Sequence, residues 1–217
     1  MAAAAVRGGV DVVHVRERDL EARLRAEDQS RFARELEKHR SWPRKDTRAF
    51  REKLEKAQEV LSQKNITSWP WIETAGRMNI RSQRHDKAEK LYSDYIAAAG
   101  KAPDVPKAYV ALIELYCMQR QAPQAREAFD RFLALYQNDG AALRACGSAV
   151  YPYYDRMSAK GRVVVLEIAE QALRRALDLL KEPAPRAQCM FELGVVLTCA
   201  GRAKDAVPLF EQAIAAA

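Results

Sequence analysis

The sequence is short of the features that mark most function classes. No apolar run approaches the ~18–20 residues that a membrane-spanning helix needs. Only three histidines occur, His14, His39 and His85, and they lie in separate segments, so no His pair has the i, i+4 spacing of a helical metal site. The four cysteines, Cys117, Cys146, Cys189 and Cys199, contain no pair with the two-residue gap of a metal knuckle or a redox site. Each sits among apolar residues, as small buried hydrophobes do in a reducing compartment, so a secreted disulfide scaffold is not expected. The "RGGV" at 7–10 is too short for a phosphate loop, and no Ser lies in a nucleophile elbow. Carboxylates are plentiful but mostly stand beside basic residues on charged helices, where pairing along the helix is their usual role. The tyrosine cluster "YPYYD" at 151–155 reads as aromatic packing. The sequence therefore offers no catalytic residue, no metal set and no cofactor site.

Ala, Leu, Arg and Glu dominate, and β-branched residues are sparse, which favours helix over strand. The net charge of +7 is spread thinly. Residues 1–66 hold 16 basic and 12 acidic side chains, 67–105 hold 6 and 5, and 106–217 hold 14 and 12. A dedicated nucleic-acid binder concentrates its cations on one face. Interleaving of this kind suits a solvated helix surface or a loose contact with an anion.

Along the chain, residues 1–15 read as a flexible tail or a weak targeting segment, since Ala and Arg are present but acids intrude. Residues 16–66 form a charged extension of two amphipathic helices. In the first, Leu20, Leu24, Phe32 and Leu36 fall on one narrow stripe, and "SWPRK" at 41–45 breaks it. The second, about 46–64, carries Phe50, Leu54, Ala57 and Leu61. Stripes this thin cannot build a large core alone.

From about residue 67 the pattern changes to an internal repeat. "AYVALIELYCMQRQAPQAREAFDRFLALYQND" (108–139) aligns with "CMFELGVVLTCAGRAKDAVPLFEQAIA" (189–215). Tyr109, Leu112 and Tyr116 match Met190, Leu193 and Leu197, and Ala125, Phe129 and Phe132 match Ala206, Phe210 and Ala213. An earlier unit, about 69–102, matches with Ile72, Ala75 and Asn79, then Ala88, Tyr92 and Tyr95; Asn79 is polar where the others are apolar. Each first helix presents an apolar face at 1, 4, 8 and each second helix at 1, 5, 8, with a small Ala for close approach. The turns hold "SQRHD", "QRQAP" and "AGRAK". Residues 140–186 make a longer, degenerate unit, in which Pro152 predicts a kink and Ala172 and Ala176 stand for the small Ala and the aromatic.

This pattern resembles the tetratricopeptide repeat family, most clearly at Leu193-Gly194, Gly201, Ala206 and Phe210. The units are about 69–102, 106–139, 140–186 and 187–217, within a repeat domain at 67–217. The resemblance implies an all-α fold, a right-handed superhelix of stacked antiparallel hairpins. It also implies a partner-binding groove on the first helices, at Arg77, Arg81, Lys107, Glu114, Met118, Phe191, Val195 and Thr198. The family's clamp for chaperone carboxylates would need Lys and Asn at positions held by Glu73 and Arg77, Val110 and Glu114, and Phe191 and Val195, so that activity is not expected. The hairpins also resemble those of pentatricopeptide repeats, but Val110 and Phe191 cannot hydrogen-bond a base edge there and Glu73 would repel nearby phosphates, so sequence-specific RNA reading is not expected.

The expected function is a non-enzymatic interaction scaffold, an accessory subunit of a larger multiprotein assembly, by family analogy mitochondrial and otherwise cytoplasmic. The last hairpin stops on the apolar "AIAAA", where this family usually adds a polar cap, so Leu209, Ala213 and Ile214 are expected to face a partner. The alternative is an RNA-associated protein, such as a peripheral subunit of an organellar ribosome, touching RNA through residues 16–56. That alternative predicts RNA affinity that falls steeply as salt rises; absence of binding at low salt removes it.

Overall fold

The structure, a computed structural model, describes residues 68–216. The tail and the two amphipathic helices expected at 1–66 lie outside the described residues. The chain divides into two compact units, Met1–Thr74 and Ala75–Ala217. The division falls inside the first described helix, α1 (Trp69–Arg81), whose opening turn is fixed by the Ser68 carbonyl accepting from the amides of Trp71 and Ile72.

The second unit is a stack of antiparallel helix hairpins, and no strand occurs among the described residues. After the end of α1 come α2 (His85–Ala99), α3 (Val105–Met118), α4 (Ala122–Tyr136), α5 (Gly140–Val150), a 3-10 segment (Tyr151–Arg156), α6 (Ala159–Leu179), α7 (Pro183–Cys199) and α8 (Ala203–Ala215). α3 pairs with α4, α5 with α6 and α7 with α8, and α2 on α3 and α6 on α7 join successive hairpins. The starts are written locally. Proline occupies the first turns of α3, α4 and α7, where a missing N–H costs nothing. Asp139 caps α5 by accepting from the Ala142 amide at 2.9 Å, and Ser158 caps α6 by accepting from Gly161 at 3.2 Å.

Three of the hairpin turns share one geometry on three different sequences. The amides of Arg84, Gln121 and Arg202 donate back to the carbonyls of Asn79, Tyr116 and Leu197, at 2.9, 2.9 and 2.8 Å. Each closes over a left-handed residue, Gln83 (φ 59°), Arg120 (φ 62°) or Gly201 (φ 77°). Only the last turn has the residue that adopts this conformation without strain.

Inside the hairpins, close approach is set by a small residue under a large one. An added side-chain carbon on Gly76 would run into the Tyr92 hydroxyl, and one on Gly194 would lie 2.6 Å from the Phe210 ring. The middle hairpin has Ile113 at this position and fills its core with rings: Phe132 packs 6.1 Å from Tyr109, 6.2 Å from Phe129 and 5.5 Å from Tyr136. Asn79, in the register of Tyr116 and Leu197, is the buried polar side chain among the described residues, at 2% exposure.

The longer hairpin corrects two expectations. Ala172 and Ala176 do not take the places of the small Ala and the aromatic. Gly147 sits against Leu173 and the Ala169 carbonyl, so Ala169 and Leu173 hold those places, three residues earlier. Nor does Pro152 kink a continuing helix. α5 ends at Val150 and the chain passes into the 3-10 segment with Pro152 in its first turn, because the proline cannot donate back into an α-helix.

Gly147→Ala tests the contact. Ala gains about 1 kcal/mol of helix propensity over Gly. Against this, the new carbon would sit 2.5 Å from Leu173 Cγ and 3.1 Å from the Ala169 carbonyl oxygen, which is backbone and cannot give. Overpacking of this kind costs about 1–3 kcal/mol, so a lower unfolding free energy in a denaturant titration is expected, and unchanged stability contradicts the contact.

Candidate protein-interaction surface

The expected groove lies along α1, α3, α5 and α7. Arg77, Arg81 and Lys107 are exposed there, and Met118 is half-buried. Lys107 is held by Asp104 at 2.6 Å, an exposed pair worth little. Thr198 is exposed and spends its hydroxyl on the Gly194 carbonyl at 2.9 Å.

Glu114 is not open. The Tyr153 hydroxyl of the 3-10 segment donates to it at 2.9 Å, and the Arg156 guanidinium lies 5.7 Å from the Tyr153 ring centroid. Interaction with Cys199, at the end of α7, raises the phenol pKa of the next residue, Tyr154. The insertion after α5 thus engages one groove residue of α3 and the end of α7. Next along the same face, Glu192 accepts from Ser148 at 2.7 Å and from Gln188 at 3.1 Å, with Arg144 at 3.8 Å. Much of the polar chemistry of this face is consumed within the chain.

Three of the four cysteines, Cys117, Cys146 and Cys189, are buried thiols. Burial pushes the Cys117 thiol up to about 12 and Cys189 up to about 11, and raises Cys146 as well, so none of these three is a thiolate at neutral pH. Among the described residues no group of His, Cys, Asp and Glu is placed to hold a metal ion.

On the opposite side, between α2 and α4, runs an open groove of ≈420 Å³, floored by Leu112, Tyr109 and Ala128 and edged by the Glu127–Arg131 ion pair. Beneath it, Tyr116 donates to Glu89 at 2.9 Å.

The last hairpin differs from the others. Tyr92, Phe129 and Leu173, the large residues of the three earlier hairpins, are sealed from solvent, whereas Phe210 is partly open. Around it, Val207 is 53% exposed and Ile214 is 79% exposed. On α7, Phe191 is 55% exposed and lies 5.5 Å from Phe210, ring to ring. Thr198 is exposed where its counterpart on α3, Cys117, is 1% exposed. Phe191, Val195 and Thr198 on α7 and Val207, Phe210 and Ile214 on α8 therefore form one apolar end face. Phe191, Val195 and Thr198, expected in the groove, belong to it as well. Of the residues expected at the C-terminal contact, Ile214 lies on this face and Leu209 is half-buried. Ala213 is buried, as its match with Phe132 requires. Val207 and Phe210 were missed, because in the repeat alignment Phe210 counts as hairpin core. Comparing each core position with the burial of its counterparts is what reveals it.

The tyrosine–glutamate contacts set a pH response. Burial, with the hydrogen bonds to Glu89 and Glu114 behind it, pushes Tyr116 and Tyr153 from 10.0 up to about 12. The neutral phenols therefore favour the fold. Their contribution is complete below pH 10.0 and is lost as pH rises through about 12. Thermal unfolding followed across that window is expected to show falling stability, with a shallower fall in the Tyr116→Phe, Tyr153→Phe double variant; equal slopes would count against both contacts.

No family model matches the chain, and no curated protein does. Solved structures do match. A putative kinesin light chain with nearly identical TPR-like repeats, from Podosopora anserina, is 18% identical, with a TM-score of 0.56 over 89% of this chain and 95% of that one. BtubC from P. vanneervenii is 20% identical, with a TM-score of 0.53 over 88% of this chain and 78% of that one. At such identities the likeness is one of fold, and the fold of this chain is the tetratricopeptide-like stack of helix hairpins.

Proposed function

We propose that the chain is a non-enzymatic protein-interaction module, an accessory subunit that docks a helical element on the end face of its last hairpin. The observation that supports it is the burial series Tyr92, Phe129, Leu173, Phe210, closed three times and open the fourth. A helix from the following hairpin lies on α2 and on α6. A surface of the same register with Phe191, Val207 and Ile214 outward offers the same kind of seat. Burying such side chains yields roughly 1.5–3 kcal/mol each, enough for a specific contact and costly to leave wet.

The first-helix groove is the weaker docking site, since Glu114 and Glu192 already serve the protein's own Tyr153, Ser148 and Gln188. The mitochondrial setting and the RNA-associated alternative rest on the sequence alone, the first on analogy and the second on residues outside the described range. A photo-crosslinking residue at position 214, compared with one at 114, separates the surfaces in the source cell. An adduct with a second polypeptide from 214 is expected. Adducts from 114 alone would move the docking site back to the groove and sink this reading.

A further inference from the structure

The charges on α8 indicate what sits on the end face. Lys204, Val207, Glu211 and Ile214 recur at steps of three, four and three, so they share one stripe of the helix. All four are exposed. The neighbouring charges are used inside the chain: Arg202 donates to Asp205 at 3.0 Å and to Glu170 at 2.9 Å. Lys204 and Glu211 have no ion-pair partner among the described residues, although they bracket the apolar centre of the face.

We infer that the occupant of the end face is a second copy of this chain, with the two α8 helices packed antiparallel about a two-fold axis between Val207 and Pro208. This rests on the end face being a docking surface. In that register Lys204 of each copy meets Glu211 of the other, so the two unpaired charges are satisfied twice by symmetry. A parallel pairing would instead set Lys204 on Lys204 and Glu211 on Glu211. The same register sets Ile214 against the second copy's Gly201, which has no side chain and nothing within 4 Å of its would-be Cβ, so it leaves room for the larger residue. Val207 lies beside the axis, against Val207 of the second copy. A closed two-fold contact of this kind covers both end faces and leaves none for further growth.

The test uses the full chain, purified, in analytical ultracentrifugation over a concentration series. A reversible monomer–dimer equilibrium is expected, with a dissociation constant on the order of 10–100 µM for a face this small. Ile214→Asp is expected to leave a monomer; its side chain is 79% exposed, so folding is not at stake. Lys204→Glu is expected to weaken the dimer about tenfold, since it creates two like-charge contacts, and adding Glu211→Lys is expected to restore it. A chain that stays monomeric at several hundred µM, a dimer untouched by Ile214→Asp, or a charge swap that fails to restore association would each overturn the inference. A monomer that still crosslinks a different polypeptide from position 214 overturns the second copy and leaves the docking surface standing. A monomer with no adduct from that position removes both.

Discussion

The contact between a small residue on one helix and a large one on its partner underlies the rest of this structure. Gly76 under Tyr92, Gly147 under Leu173 and Gly194 under Phe210 leave no space for a side-chain carbon, so each pair fixes how closely its two helices approach. Where Ile113 replaces the glycine, a cluster of Tyr109, Phe129, Phe132 and Tyr136 fills the hairpin instead. The large residue has a second duty. It stands where the following hairpin packs, so the contact that closes a hairpin also prepares the seat for the next. Phe210 is partly open where Tyr92, Phe129 and Leu173 are closed.

Hairpins packed this way are joined by glutamates. Glu89 receives the hydroxyl of Tyr116, Glu114 that of Tyr153, Glu192 that of Ser148, and Glu170 the guanidinium of Arg202. Each links one unit to the next; the three hydroxyl bonds are part-buried, where a hydrogen bond to a charged group outweighs an exposed ion pair, whereas the Arg202–Glu170 pair is exposed. The consequence for function is indirect but large. Carboxylates and hydroxyls that could have lined a peptide groove are committed to holding the stack together. The insertion at Tyr151–Arg156 adds to this by bringing Tyr153 onto Glu114. What stays open is an apolar face at the last hairpin.

Much of the fold was legible because its signals are local. Spacing of apolar positions, Pro at helix starts and turn residues at a constant offset are properties of one hairpin at a time. The errors came where a neighbour decides. Ala172, Ala176, Ala169 and Leu173 all lie on the buried side of α6, so periodicity could not say which of them meets Gly147 across the gap. Pro152 was recognised as a break, but the periodicity did not show that the chain passes there into a 3-10 segment rather than bending. Phe191, expected in the groove, has its ring 5.5 Å from Phe210, a contact the repeat spacing did not reveal.

By itself the sequence determined that the chain makes helices, where most of them start, and that they pair in a repeated way, because 3.6-residue periodicity and proline or glycine placement act within a few turns of backbone. Only the tertiary structure decided which large residues are sealed and which remain open. Exposure is set by whatever packs on the far side of a hairpin, and that is a relation between units with no signature in the spacing of either one. It is this relation that leaves Phe191, Val207, Phe210 and Ile214 open at the last described hairpin.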